Sequence, residues 1–167
     1  MSTVLVSLEE YLNTAYSPDR EFVDGEVVER NVGERPHSRV QHNLSVLLDR
    51  RCPHLSIWPE QRVRTIPGRR CRVPDVCVTT EDPGVDVFED PPLLCIEILS
   101  KKDRRSRIEA KCEEYAAFGV ACILVIDPRR KNVFIYEGGR LEALETDTLT
   151  VGPEKFRLPF EEIFRGL

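Results

Sequence analysis

The run Leu93-Leu94-Cys95-Ile96-Glu97-Ile98-Leu99 constrains the fold more than any other part of this chain. It is apolar at every position but one, so it does not alternate as a half-solvated strand would. Read as a strand, it is buried on both faces, and a sheet holding such a strand needs cover on both sides. Two segments supply that cover. Val40, Leu44, Leu47 and Leu48 line one face of a helix that starts after Pro36 and ends near Cys52-Pro53. Ile108, Cys112, Tyr115 and Ala116 do the same over residues 104–118, with Gly119 as the stop. A second apolar run, Ala121 to Ile126, closes at Asp127-Pro128. Helix, strands, helix and strand in this order predict an α/β fold, an open mixed sheet with helices packed on it.

The remaining elements are shorter. Ser7-Leu8-Glu9-Glu10 has the form of a capping box and predicts a helix to about Ala15, with Pro18 beyond it. Asp24-Gly25 between Glu21–Val23 and Glu26–Val28 predicts an N-terminal hairpin. Residues 55–66 and 72–79 predict two strands, and 132–136 with 141–145 a C-terminal hairpin around Gly138-Gly139. Phe160–Phe164 reads as a short helix. With no linker and no internal repeat in sight, residues 1–167 are expected to form a single domain.

Composition excludes several classes. No apolar run approaches the ~20 residues that span a bilayer, and the first residues lack the basic start of a secretory signal. A cytoplasmic protein without a membrane partner is therefore expected. Cys77, Cys95 and Cys122 lie inside apolar strand-like runs, no Cys-x-x-Cys occurs, and the histidines are not spaced with cysteines as zinc ligands are. The six cysteines are thus expected to be reduced and structural. A net charge of −5 does not favour polyanions overall. Two basic runs stand out against it, Arg62, Arg64, Arg69, Arg70 and Arg72, then Lys101, Lys102, Arg104, Arg105 and Arg107. They are either solvated faces or walls that hold a phosphate backbone, and charge alone does not choose.

Glu97 carries the most chemical information. A carboxylate inside an apolar strand is costly unless it is paired or binds a metal. A buried pair with an arginine is one alternative, and a strand end reaching solvent at Ser100-Lys101-Lys102 is another. Asp75 follows Pro74, which favours extended backbone before it. If the strands of Asp75 and Glu97 pair, two hard oxygen ligands sit at one end of the sheet, a donor set suited to Mg²⁺ or Mn²⁺. Glu21 is a candidate third carboxylate or a hairpin surface acid. His37 shares a helix face with Val40, Leu44 and Leu48, as a core-edge histidine or a site residue. Glu60 is a weaker candidate, and Trp58 and Phe88 are base-stacking or core aromatics.

Pro74-Asp75, then Glu97-Ile98-Leu99 in the third strand of a helix–strand–strand–strand–helix–strand order, resembles the PD-(D/E)XK superfamily of restriction-endonuclease-like folds. More closely, a series over residues 7–145 is similar to the Uma-two family of bacterial domains. It comprises Glu21-x-x-Asp24-Gly25-Glu26, His37, Pro74-Asp75, Pro92-x-x-x-x-Glu97-x-Leu99-Ser100, Lys111-x-x-x-Tyr115-x-x-x-Gly119-Val120 and Val125-x-Asp127-Pro128. The resemblance implies a restriction-endonuclease-like mixed central sheet flanked by helices, and metal-dependent phosphodiester hydrolysis. Asp75, Glu97 and the Ile98 carbonyl would hold Mg²⁺ or Mn²⁺. Leu99 stands where the superfamily motif asks for lysine; the Uma-two pattern supplies its lysine from the next helix, at Lys111 here. Asp75, Glu97 and Lys111 are thus the expected catalytic residues, with Glu21 and His37 as additions. The expected partner is nucleic acid, DNA before RNA, and the expected assembly a homodimer. Two other functions stay open: a degenerate domain that binds nucleic acid or protein, and a metal-dependent hydrolase of another substrate.

Overall fold

A computed structural model of the chain describes residues 5–30 and 34–167. At its centre lies β7 (Leu94–Ile98), buried at every residue as its composition demands. It runs parallel to β8 (Cys122–Asp127), with Leu94 opposite Cys122 and Ile98 opposite Ile126. The parallel step is made by α3 (Arg105–Phe118), which ends on Gly119 at a φ of 109°, a left-handed value that favours glycine. On its other side β7 pairs antiparallel with β6 (Val76–Thr79), Val76 facing Ile96. The edge strand β3 (Ser56–Pro59) lies beyond β6, and the hairpin of β9 (Asn132–Glu137) and β10 (Arg140–Ala143) continues the sheet past β8. The strand order is β10-β9-β8-β7-β6-β3.

Period-two alternation sorts β7 between two cores. Leu94, Ile96 and Ile98 join Val40, Leu44 and Leu48 of α2 (Arg35–Arg51), together with Phe156 and Ile163 from the C-terminal part. Cys95 joins Ile108, Cys112 and Tyr115 of α3 on the opposite face, where Trp58 meets Phe88 edge-on at 5.4 Å. Glu97 is in phase with Cys95, so its carboxylate turns towards α3 rather than α2. A four-stranded sheet stands apart, with β1 (Arg20–Val23), β2 (Glu26–Glu29), β4 (Val63–Ile66) and β5 (Arg70–Arg72) in the order β2-β1-β5-β4. It is covered by α1 (Leu8–Leu12), whose Glu10 N–H donates to the Ser7 hydroxyl at 3.0 Å.

The mixed sheet with flanking helices and both hairpins matches the sequence expectation. The strand boundaries differ in two places. Residues 55–66 form two strands, one in each sheet, because the chain turns at Glu60, which has a φ of 54°. Residues 72–79 likewise divide into β5 and β6, parted at Val73-Pro74-Asp75, where proline offers no ladder N–H. A further hairpin, β11 (Thr148–Val151) with β12 (Glu154–Arg157), was not anticipated. Leu149, Val151 and Phe156 bury its inner face, and Gly152-Pro153 makes its turn. The first helix stops at Leu12, short of Ala15. All six cysteines are free and buried. Burial pushes the Cys77 and Cys122 thiols up to about 12, which keeps them inert hydrophobes. Among the described residues no helix is long and apolar enough to cross a membrane.

Candidate active site

The two sheets and α3 enclose a cavity of about 380 Å³ that is lined by Glu21, Arg30, His37, Asp75, Glu97 and Lys111 among others. They come from β1, the residue after β2, α2, the residue before β6, β7 and α3, so the site is assembled by the fold and not by any local motif. The antiparallel β6–β7 register places Asp75, just before Val76, beside Glu97, just after Ile96. From α3, one turn apart, Lys111 and Tyr115 reach down to the strand. The Lys111 ammonium lies 2.8 Å from both Glu97 oxygens and 2.6 Å from Glu21 Oε1. The Tyr115 hydroxyl donates to Glu97 Oε1 at 2.7 Å.

Asp75 is held from four directions. Its Oδ2 accepts the Ile98 N–H at 2.7 Å and faces His37 Nε2 at 3.2 Å. Its Oδ1 accepts from Arg30 Nη2 at 2.8 Å, and its backbone carbonyl accepts from Gln41 Nε2 of α2 at 3.0 Å. Glu21 accepts the Val73 N–H at 3.2 Å and Arg72 Nη1 at 3.1 Å. Glu60 lies 3.7 Å from Arg30.

Three carboxylates around one lysine cannot all ionise at equal cost. Burial, reinforced by the charges of Asp75 and Glu21, pushes the Glu97 carboxyl up to about 7 despite Lys111. Burial would raise Glu21 as well, but Lys111 and Arg72 outweigh it and hold Glu21 down to about 2. At Asp75 burial is again overcome, here by His37, Arg30 and Lys111, and the carboxyl is lowered. The same contact with Asp75 raises His37, against the effect of its own burial. Lys111 stays protonated although burial alone would discharge it, because Glu21, Glu97 and Asp75 surround it. At neutral pH the site thus offers ionised Asp75 and Glu21, cationic Lys111, and a Glu97 balanced between its two protonation states.

The three expected catalytic residues, Asp75, Glu97 and Lys111, and the two additions, Glu21 and His37, line this one cavity. Ile98 also lines it. Arg30 was missed: its side chain is 7% exposed, and its ion pair with Asp75 spans 45 positions with no local signal. Trp58 and Phe88 belong to the core. The arginine-rich strand region is no open phosphate wall. Arg62 pairs with Asp19, Arg64 with Glu89, Arg69 and Arg70 with Asp24, and Arg72 with Glu21 and Glu114.

Asp75, Glu97, Glu21 and the Ile98 backbone form a hard-oxygen donor set, chemistry that fits Mg²⁺ or Mn²⁺. The set is not drawn together as it stands. Among the described residues no three His, Cys, Asp or Glu side chains form a ready metal cluster, and Arg30 and Lys111 supply the countercharge.

The profile of the Uma2 family, described as "Putative restriction endonuclease", matches residues 8–161. Among solved structures, the chain is similar to one described as a putative nuclease belonging to DUF820 from Anabaena variabilis. The TM-score is 0.77 at 20% identity, over 95% of this chain and 97% of that one. That likeness shows a shared restriction-endonuclease-like fold. No curated protein matches the chain significantly.

Proposed function

Because the chain belongs to the Uma2 family, we propose that it is a divalent-metal-dependent endonuclease that hydrolyses phosphodiester bonds of nucleic acid, DNA before RNA. The observation that carries this reading is Lys111. It reaches in from α3 and sits between Glu21 and Glu97, in the same cavity as Asp75. Asp75, Glu97 and the Ile98 carbonyl would hold the ion, which when bound supplies Lewis-acid activation of the phosphate and of a water. Lys111 supplies fixed positive charge for the phosphate oxygens as they gain charge. Glu97, poised about pH 7, is able to hold or release a proton at working pH. Tyr115 fixes its orientation, and His37 fixes that of Asp75. A cytosolic homodimer completes the reading as expected from the sequence.

A second reading has one observation in its favour. Arg30 sits on Asp75, one of the intended metal ligands, as it would in a domain that kept the fold and lost the ion. The deciding experiment is cleavage of circular and linear DNA and of RNA with Mg²⁺ or Mn²⁺, alongside Asp75→Asn and EDTA controls. Cutting that needs metal and is lost in Asp75→Asn is the expected result. Equal behaviour of wild type and variant overturns the nuclease and favours the binding module.

A further inference from the structure

The two oxygens of the Asp75 carboxylate are held unequally. Oδ2 accepts the Ile98 N–H at 2.7 Å and faces His37 Nε2 at 3.2 Å, which occupies both of its lone pairs. Oδ1 is covered by Arg30 Nη2, at 2.8 Å. An ion that takes Asp75 as a ligand therefore enters at Oδ1. Two cations on one oxygen repel strongly in a buried site, so the ion and Arg30 do not share it.

Arg30 has a second acid within reach. Its other terminal nitrogen, Nη1, lies 3.7 Å from Glu60 Oε1, about 1 Å beyond a charge-assisted hydrogen bond. Glu60 is not among the residues that line the cavity, and its side chain is 46% exposed against 6% for Asp75. A guanidinium that turns from Asp75 to Glu60 thus leaves the cavity for its outer side. Glu60 is fixed in place for this. Its N–H donates to the Asp75 carbonyl at 3.2 Å, and Gln41 Nε2 spans that carbonyl at 3.0 Å and Glu60 Oε1 at 3.4 Å. The φ of 54° at Glu60 is a left-handed value that glycine or asparagine adopts at less cost than glutamate. The turn between the sheets needs that angle; it does not need the carboxylate.

We propose that Glu60 is a positioning residue for the metal, the acceptor onto which Arg30 transfers when a divalent ion takes Asp75 Oδ1. Without the ion, Arg30 helps to neutralise the buried acids Asp75, Glu97 and Glu21. With it, the ion takes over that charge and Glu60 keeps the displaced guanidinium paired. Glu60 thus sets the metal affinity without touching the metal, and the Arg30–Asp75 pair is the resting state of a site that binds its ion. That role rests on Asp75 as a metal ligand, as in the nuclease reading.

The test is calorimetric titration of residues 1–167 with Mn²⁺, which needs no substrate. Glu60→Asn is expected to bind about fivefold more weakly than wild type, the worth of one half-exposed ion pair. Its Tm should not fall, since asparagine suits the left-handed turn. Glu60→Gln, which keeps the side-chain length, is expected to match it. Arg30→Met removes the group that has to move, so adding Glu60→Asn to Arg30→Met should change nothing. A general field of Glu60 at the site would instead weaken binding in both backgrounds. Equal affinity of Glu60→Asn and wild type, or the same loss with and without Arg30, overturns the transfer. Binding by Arg30→Met but not by wild type overturns it too, because Arg30 then never leaves. The two readings fail separately. A protein that cleaves with metal and is indifferent to Glu60→Asn overturns the transfer alone. One whose Mn²⁺ affinity depends on Glu60 only while Arg30 is present, yet which cleaves no nucleic acid, supports the transfer and overturns the nuclease.

Discussion

Glu97 and Glu114 are buried to nearly the same degree, 5% and 8% exposed; Glu97 faces α3 and Glu114 belongs to it. Glu114 has a surplus of donors: Arg70 at 2.9 Å, Arg72 at 2.6 and 3.0 Å, and the Thr65 hydroxyl. Burial would raise its carboxyl, but Arg72, Thr65 and Arg70 win and it is lowered. Glu97 has one cation, Lys111, shared with Glu21, and two acids as neighbours, so its carboxyl is raised to about 7. Burial by itself therefore does not mark a functional acid. The ratio of donors to acids around it does, and a site short of donors keeps a group that titrates at working pH.

The largest test of this contrast is on activity. Lys111→Met is expected to cut phosphodiester cleavage by about a hundredfold or more, whereas Glu114→Ala should leave the rate within about threefold and cost about 4 kcal/mol in urea unfolding. A stable but inactive Glu114→Ala would break the contrast. Next is Arg30, the cation on Asp75. Arg30→Met should lose about 3 kcal/mol without metal, because a buried partner is left unpaired, and should bind Mn²⁺ more tightly than wild type. Thermal unfolding with and without Mn²⁺ reads both, and unaltered affinity would mean that Arg30 does not compete for Asp75.

Acid–base linkage sharpens the contrast further, because the two glutamates bend the stability curve in opposite directions. Folded Glu97 keeps a proton that the unfolded chain has released, so its contribution is full below the ordinary 4.5 and is lost as pH rises to about 7. That decline is expected to be on the order of 3 kcal/mol and to vanish in Glu97→Gln. Folded Glu114 refuses a proton that the unfolded chain takes up, so its contribution is present above 4.5 and is lost on acidification below it. Denaturant midpoints across pH check both signs. The smallest effect is Thr65→Val, which keeps the shape and removes one donor to Glu114. It should cost about 1 kcal/mol and leave Mn²⁺ binding untouched.

How far these outcomes were legible in the sequence depended on the distance over which each residue acts. Glu97 was legible because a charge breaks an otherwise apolar strand, and Asp75 because Pro74 and the strand pairing put it alongside. Lys111 was reached only through resemblance to a family pattern, since nothing in its own helix distinguishes it from a lysine that covers the core. Arg30 and Glu114 were illegible, for their partners lie 45 positions away in one case and 42 to 49 in the other. The arginine-rich region stayed undecided for the same reason, as its countercharges at Asp19 and Asp24 come from a different part of the chain. Strand composition could not show that the chain leaves one sheet for the other at Glu60, because that is decided by a single backbone angle.

Arg72 has one flat guanidinium with Glu21 at one side and Glu114 at the other. Arg72, which also lines the cavity, thus ties the Glu21 carboxylate to the second half of α3. A ligand that draws Glu21 away leaves more of the Arg72 charge to Glu114, so the second half of α3 should exchange its amide hydrogens more slowly when the cavity is filled. The brace that holds α3 against β5 is at the same time part of the wall of the cavity.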